Sequence, residues 1–188
     1  AFSKKSNISI NLFGLDAERK AIGFRSNRVD QIDPNEERDL IKGDFNNYGI
    51  EVRWLQNYSV GSKKAVFLIG GKYYKAKNTS AQGPGSAESD ADFNFYSDRY
   101  PNYNQQSNYT YPNENIALFV ENIFYLSEKL YLTPGIRYEN ILTSSDGSFK
   151  KINTDAAGNV ILNQTISTNE SRKRSFTLLG LGANYKLK

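Results

Sequence analysis

Acidic and basic side chains stand two residues apart within otherwise apolar segments of this sequence. Glu51 and Arg53 form one such pair, and Arg137 and Glu139 form another. Lys72 and Glu121 stand singly in similar segments. Carboxylates, guanidinium groups and ammonium groups can form ion pairs and charged hydrogen bonds with one another or with a polar ligand. The chemistry that these residues offer is therefore electrostatic recognition.

Several kinds of catalytic or metal site are excluded by composition. The 188 residues include no His and no Cys, which removes disulfides, thiolate metal sites, Ser-His-Asp triads, zinc-hydrolase centres and His-ligated iron. No pair of acidic residues recurs at a consistent spacing, so we predict that the chain is not an enzyme and holds no metal or cofactor. The net charge of +4 comes from scattered basic residues, which does not favour nucleic acid but is compatible with anionic ligands or lipopolysaccharide.

The elements that position these charges follow an alternating apolar and polar pattern, which predicts β-strands. In the second segment, Ile50, Val52 and Trp54 alternate with Gly49, Glu51 and Arg53. Six segments of about ten residues share this pattern. They lie at about 7–12, 44–58, 65–75, 115–126, 132–139 and 174–186.

The connections between these segments alternate between long and short. Polar stretches at 25–43, 76–113 and 144–173 are long, whereas Ser59–Lys63 and Ser127–Lys129 are short. Ala157-Gly158-Asn159 predicts a further hairpin inside the third long stretch. Membrane-crossing strands need ~9–11 residues, and outer-membrane barrels have short periplasmic turns and long extracellular loops. We therefore predict an all-β, antiparallel up-and-down meander of about six long strands, part of a large transmembrane β-barrel. Strands one, three and five would run outward.

The two faces of the predicted strands differ in polarity. One face is Ile, Leu, Val, Phe and Tyr, and we expect it to contact lipid. A charge facing the bilayer centre costs ~2–4 kcal/mol, so the charged side chains are predicted to face the lumen: Glu51, Arg53, Lys72, Glu121, Arg137 and Glu139. Arg137 could pair with Glu121 across neighbouring strands, and Gly70, Gly135, Gly180 and Gly182 on the same face would leave room inside. Periodicity alone is equally compatible with the solvated face of an ordinary antiparallel sheet.

Several stretches resemble TonB-dependent outer-membrane receptors. The order Ile116-Ala117-Leu118-Phe119-Val120-Glu121-Asn122, Leu126-Ser127-Glu128-Lys129-Leu130 and Leu132-Thr133-Pro134-Gly135-Ile136-Arg137-Tyr138-Glu139 is similar to a strand, turn and strand of that family. Asn11-Leu12-Phe13-Gly14 with Arg19, and Phe45 to Trp54, resemble the ferric-dicitrate receptor branch. The resemblance implies a barrel of about 22 strands closed by a plug. It covers most strands and little of the loops. We expect residues 1–188 to be a single interior barrel segment without the plug.

The resemblance implies transport in the outer membrane of a Gram-negative bacterium. Loops and plug would bind a ferric chelate, and TonB would act on the plug to open the lumen. Iron dicitrate is an anion, so cationic and amide donors should face it. The candidates are Arg28, Arg99, Gln105 and Gln106, with Lys173 and Arg174 less favoured. Other partners would be outer-membrane lipid, lipopolysaccharide and either the rest of the barrel or further copies, which would pair with the open sheet edges.

An alternative function is a soluble β-domain that binds glycan or protein through its loops. The Tyr- and Asn-rich run from Tyr96 to Tyr111 would be its binding surface. The two functions differ in detergent dependence. A soluble domain should stay folded and monomeric without detergent, whereas an open barrel segment should aggregate or oligomerise.

Overall fold

The computed structural model describes residues 5–24, 26, 28–88 and 92–187. They form one six-stranded antiparallel sheet in which consecutive strands are neighbours, which confirms the predicted meander. Among the described residues, no helix is long and apolar enough to cross a bilayer. The strands are β1 (Ser6–Gly23), β2 (Asp39–Val60), β3 (Lys63–Pro84), β4 (Ser107–Tyr125), β5 (Leu130–Thr154) and β6 (Val160–Tyr185).

The strands are longer than predicted. We expected about ten residues each, but β1 has 18 and β6 has 26. The alternation of apolar and polar residues marks only the part of each strand with one apolar face. Beyond that part both faces are polar, yet the backbone ladder continues because it does not depend on side-chain polarity.

The third polar stretch, predicted as a loop from Ser144 to Lys173, is instead a long paired extension of β5 and β6. Its turn lies at the predicted hairpin. The Asp155 N–H donates to the Asn159 carbonyl at 2.9 Å, and the Asp155 carboxylate accepts the Ala157 N–H at 2.9 Å. Gly158 has a φ of 86°, a left-handed conformation that glycine adopts without a steric penalty.

The other two hairpins are tight, as predicted. Gly61, between β2 and β3, has a φ of 60°. Between β4 and β5, the Ser127 hydroxyl oxygen accepts the N–H groups of Lys129 at 3.2 Å and Leu130 at 3.0 Å. These bonds satisfy backbone donors that the ladder does not reach. We call this edge of the sheet the short-turn end, and the opposite edge the long-loop end.

The strand register assigns each side chain to one of two faces. Residues that pair directly across strands share a face. One row across all six strands is apolar: Ile8, Trp54, Ile69, Val120, Ile136 and Leu179. The face that carries this row is called the apolar face. The opposite one, which carries Glu51, Phe119 and Arg137, is called the charged face.

The two faces of this single layer differ in exposure. Phe119, on the charged face, is 7% exposed, whereas its neighbour Leu118, on the apolar face, is 58% exposed. No second layer covers either face among the described residues, since the described strands form one sheet. Side chains on the charged face therefore bury one another. β1 and β6 are the edge strands, and each pairs on one side only.

Candidate functional site

Two ion pairs flank an aromatic ring on the charged face. Arg53 pairs with Glu51 at 2.5 Å on β2, and Arg137 pairs with Glu139 at 2.5 Å on β5. Phe119 of β4 lies between them, with its ring centroid 6.0 Å from the Arg53 guanidinium carbon and 5.3 Å from that of Arg137. Both guanidinium groups can therefore interact with the ring as well as with their carboxylates.

The ring of Phe119 occupies the space above Gly70. A Cβ at Gly70 would lie 2.6 Å or less from two ring carbons of Phe119. Gly70 was predicted to leave room for something inside the barrel, but the structure fills that room with a side chain of the neighbouring strand. A comparable contact occurs at Gly49, which lies beneath Phe13. Glycine at both positions allows a large ring to lie flat on the sheet.

The predicted ion pair between Arg137 and Glu121 is not formed. Arg137 lies opposite Phe119, and Glu121 lies opposite Gly135. The Arg137 guanidinium instead bonds Glu139, two residues along the same strand and on the same face. This in-strand partner keeps the guanidinium close to the Phe119 ring, so both interactions are made together.

The remaining charges lie on the same face. Lys72 lies opposite Glu51 in the strand register, and its ammonium nitrogen lies 5.1 Å from the centre of the Phe13 ring. Phe13 in turn stacks on Tyr74 at 6.4 Å. Glu139 is 8% exposed, and its Oε2 has no hydrogen-bond partner among the described residues. The six charges that were predicted to face one way thus share a face.

The apolar face is exposed along the short-turn half of the sheet. Ile136 is 47% exposed and Trp54 is 40% exposed. Polar groups on this face find local partners: the Trp54 indole N–H donates to Ser6 Oγ at 2.7 Å, and the Tyr58 hydroxyl donates to Asn122 Oδ1 at 2.9 Å. The resulting surface has few free polar atoms and is suited to an apolar environment.

The long loop between β3 and β4 is held against both neighbouring hairpins. The Tyr103 hydroxyl donates to Asp39 at the base of β2 at 2.5 Å. Burial, together with this hydrogen bond, raises the pKa of Tyr103 above its ordinary value. On the other side, the Lys150 ammonium of β5 donates to the Pro101 carbonyl at 2.7 Å, and the Asn163 amide of β6 donates to Asn102 at 3.2 Å. The loop therefore bridges the first and third long connections.

The four predicted ligand residues occupy different surroundings. Arg28, in the first loop, lies 3.8 Å from Asp30 and is largely exposed. Arg99 is exposed beside the Tyr100 ring, at 5.4 Å from its centre. Gln105 accepts a hydrogen bond from the Gln82 amide at 2.8 Å, and Gln106 donates to Ser97 at 3.1 Å. Gln105 and Gln106 are adjacent in sequence and lie at the base of the second loop, directly before β4, whereas Arg28 and Arg99 are exposed within their loops.

Gln106 lines a small cavity of about 160 Å³ between the second loop and the β5–β6 hairpin. Its Oε1 is buried and has no hydrogen-bond partner within the part of the chain that the structure describes. Of the other lining residues, Ser107 and Asn108 fall within the Tyr- and Asn-rich run, and Phe95 lies in the second loop. The sequence did not indicate Ser148, Phe149 and Lys150, because they lie on a strand extension that was predicted as a loop. Two aromatic rings among hydroxyl, amide and ammonium groups can hold a small polar ligand.

The first loop is stabilised by its own ion pair. Both Arg38 guanidinium nitrogens bond the Asp33 carboxylate at 2.5 Å. These hydrogen bonds lower the pKa of Asp33 and raise the pKa of Arg38. In the second loop, the Tyr96 hydroxyl bonds Asp92 and lowers the pKa of that carboxyl. Among the described residues, no three potential metal ligands cluster in these loops or elsewhere.

The fold occurs in a solved structure of known function. The crystal structure of the ferric yersiniabactin uptake receptor FyuA from Yersinia pestis matches with a TM-score of 0.57 and 14% sequence identity. The match covers 99% of this chain and 24% of that receptor, so the chain spans about a quarter of its length. No protein-family model matches the sequence, and no curated protein matches it. The chain therefore shares its fold, a six-stranded antiparallel meander, with part of this receptor.

Proposed function

We propose that this chain forms part of the wall of an outer-membrane receptor that imports ferric chelates. The exposed apolar face of a single sheet is the observation that carries the proposal. Its apolar positions on β2 run from Ile50 to Tyr58, interrupted by Gln56, a length that suits the ~9–11 residues of a tilted membrane strand. Burial in lipid would remove this surface from water, and hydrocarbon requires no hydrogen bonds from it.

The charged face would then line the lumen. Its six charged residues would cost ~2–4 kcal/mol each at the bilayer centre if they faced lipid, but the register puts them all on the side away from the apolar row. Two of the acidic groups already have guanidinium partners on their own strands. This arrangement supports a lumen-facing role for Glu51, Arg53, Lys72, Glu121, Arg137 and Glu139.

A ferric chelate is the cargo that the comparison supports best, since FyuA is an uptake receptor for ferric yersiniabactin. The ligand would reach the long-loop end first. Gln106 is the favoured contact because it lines the cavity, and Gln105 bonds Gln82, which lines the same cavity. Arg28 and Arg99 are exposed in their loops and would be the outer contacts of the ligand.

The ferric-dicitrate branch is supported by the sequence resemblance alone. Binding of an anionic chelate favours a positive surface, yet acidic residues outnumber basic ones in both of the first two loops. Asp30, Asp33, Glu36 and Glu37 of the first loop are examples. A chelate of low net charge would suit these loops better.

The proposal includes a plug and TonB as partners, on the strength of the sequence resemblance. Residues 1–188 would belong to the barrel, and the plug would lie in another part of the receptor. Outer-membrane lipid and lipopolysaccharide would surround the apolar face. Neighbouring barrel strands, or further copies of the chain, would pair with the edges of β1 and β6.

The soluble binding domain is the weaker alternative. Its core would need a second layer over the apolar face, and the described residues supply none. The Tyr-rich run is folded onto the sheet at Tyr103 and Tyr109, since Tyr103 bonds Asp39 and the Tyr109 hydroxyl accepts from Thr168.

The absence of Cys allows a direct test by single-cysteine spin labelling in vesicles. Labels at Leu118 and Ile136 should be accessible to oxygen, which concentrates in lipid. A label at Thr133, on the charged face, should be accessible to a water-soluble nickel chelate. Equal access of the nickel chelate to labels on both faces would contradict the membrane topology.

Cargo binding is tested by equilibrium dialysis of the vesicle-bound chain against radioactive ferric chelates, ferric dicitrate among them. Gln106→Ala should weaken retention several-fold, because the variant loses an amide at the cavity. Gln56→Ala, on the apolar face, is the matched control and should leave retention unchanged. If no ferric chelate is retained by the unaltered chain, its loops do not form a sufficient binding site.

A further inference from the structure

The short-turn end carries a row of four lysines. Lys63 and Lys64 follow the β2–β3 turn, Lys129 lies in the β4–β5 turn, and Lys186 follows β6. The Lys186 N–H donates to the Lys129 carbonyl at 2.8 Å, so these two residues are adjacent. We call the four residues the basic rim. Within the described residues of these turns, Glu128 is the single acidic side chain.

The lysines of the basic rim are exposed and make no ion pair within the part of the chain that the structure describes. On the two faces of the sheet, Lys20 pairs with Glu18, and Lys72 lies over the Phe13 ring. The positive charge of the basic rim is therefore not neutralised within the sheet, and it is available to an external anion.

The basic rim borders the apolar face. Tyr58 and Tyr185 lie on that face near the turns and are 37% and 59% exposed. Amphipathic rings of this kind favour the boundary between hydrocarbon and water. Moving from the rim into the apolar face, a molecule would meet cations, then phenols, then apolar side chains.

The same order of groups, with complementary charge, occurs in a phospholipid: an anionic phosphate, then ester carbonyls, then acyl chains. The opposite end of the sheet lacks this arrangement, because acidic side chains outnumber basic ones in its first two loops. The two ends of the same strands thus differ in the sign of their charge.

We infer that the basic rim binds the headgroups of anionic phospholipids in the membrane leaflet at the short-turn end. This inference rests on the proposed membrane topology and adds a lipid preference to it. The lysines would bind the phosphate groups. Free phosphate offers the same anion, but it lacks the acyl chains that would cover the adjacent apolar face, so we assign the rim to lipid.

The single Trp of the chain, Trp54, lies on the apolar face and provides the probe. The full 188-residue chain is reconstituted in vesicles, and Trp54 fluorescence is quenched by acyl-brominated phosphatidylglycerol or by acyl-brominated phosphatidylcholine in mixtures of the two lipids. We expect a preference of about threefold or more for phosphatidylglycerol. The preference should fall toward one in 1 M salt, where the screening length is about 3 Å.

Two matched variants distinguish an effect of the basic rim from an effect of the net charge of the chain. Replacing Lys63, Lys64, Lys129 and Lys186 by Gln should abolish the preference. Replacing Lys75, Lys77, Lys151 and Lys173 by Gln removes the same charge nearer the long-loop end and should leave the preference intact. Circular dichroism near 215 nm checks that both variants keep their strands.

Four outcomes would overturn the inference. Equal quenching by both lipids would refute the rim and leave the membrane topology standing, whereas no quenching by either lipid would refute the topology as well. An equal loss of preference in the control variant would show that net charge, not the rim, selects the lipid. Loss of the preference in sodium phosphate, compared with sodium chloride of the same ionic strength, would assign the rim to free phosphate.

Discussion

The two halves of the same strands carry very different side chains on one continuous ladder of backbone hydrogen bonds. In the short-turn half of β2, Ile50, Val52 and Trp54 project from the apolar face. In its long-loop half, Lys42, Asp44 and Asn46 project from that same face. The pairing of β2 with β1 continues through both halves without a break in register. Backbone hydrogen bonds therefore hold the sheet together along its whole length, and only the polarity of the side chains indicates the environment to which each half is suited.

The halves also differ in what stabilises them. The short-turn half depends on an apolar surface and on the ring and ion-pair cluster around Phe119. The long-loop half depends on single polar bonds such as that between Tyr103 and Asp39. We expect substitutions in the short-turn half to cost several kcal/mol and those in the long-loop half to cost about 1 kcal/mol or less.

The largest effect should come from Phe119→Ala. The variant removes a buried ring, leaves a gap above Gly70 and abolishes the ring contacts of the Arg53 and Arg137 guanidinium groups. We therefore expect the free energy of unfolding to fall by about 3 kcal/mol or more. Tyr111→Ala on the same face of the long-loop half is the control, because Tyr111 is exposed and stacks on Tyr109 alone. Denaturant unfolding in vesicles measures both. Equal losses would remove the distinction between the halves.

Ile136→Arg should follow, with a loss of about 2–4 kcal/mol if this residue faces the bilayer centre. Ser171→Arg places the same charge on the same face of the sheet in the long-loop half, where a cost of about 0–1 kcal/mol is expected. The comparison uses the same vesicle unfolding assay. A small cost at both positions would mean that the apolar face does not contact lipid.

Tyr103→Phe should cost about 1 kcal/mol, because it removes one hydrogen bond to Asp39. The pKa of Tyr103 is raised in the folded chain, so its contribution is fully present below the ordinary tyrosine pKa. That contribution is lost as the pH rises through the higher folded value. Unfolding midpoints above pH 10 should therefore fall more steeply in the unaltered chain than in Tyr103→Phe. Parallel pH profiles would contradict the assignment.

The smallest effect is expected at the exposed pair of Asp33 and Arg38. The Arg38 guanidinium holds the pKa of Asp33 below its ordinary value, and Arg38→Gln should return that pKa toward it, with little change in stability. A carboxyl-carbon NMR titration of Asp33 makes the measurement. Lys20→Gln is the control because Lys20 pairs with Glu18 instead. An unchanged Asp33 pKa in Arg38→Gln would contradict the ion pair and leave the Asn35 N–H as the group that lowers it.

The strand order and the two faces could be predicted because alternation is a local property of sequence. Leu132 to Glu139 alternates cleanly, and the register places its residues on the predicted faces. The extension of β5 and β6 could not be predicted in this way. From Ser144 to Ser148 both faces are mostly polar, so the pattern that identifies a half-apolar strand disappears although the backbone pairing continues.

The candidate site was predicted less completely than the fold. The contacts of Phe119 with Arg53 and Arg137 depend on strands that lie two positions and one position away in the sheet, which the sequence pattern does not reveal. The predicted ion-pair partner of Arg137 was wrong because the alternation of residues does not decide between Glu121 and Glu139, which lie on the same face as Arg137. Tyr103 and Asp39 are 64 residues apart, and no local pattern links them.

The unpaired edge of β6 restricts the sequence of any strand that adds to it. Such a strand must run antiparallel if the meander continues, and its residues opposite Leu179 and Leu181 must be apolar. Its residues opposite Gly180 and Gly182 can carry bulky side chains across the glycines, as Phe119 does across Gly70. A shift of one residue would exchange the two sets. Whether the apolar residues of a candidate neighbouring strand fall opposite Leu179 and Leu181 or opposite Gly180 and Gly182 therefore decides whether that strand can pair with β6.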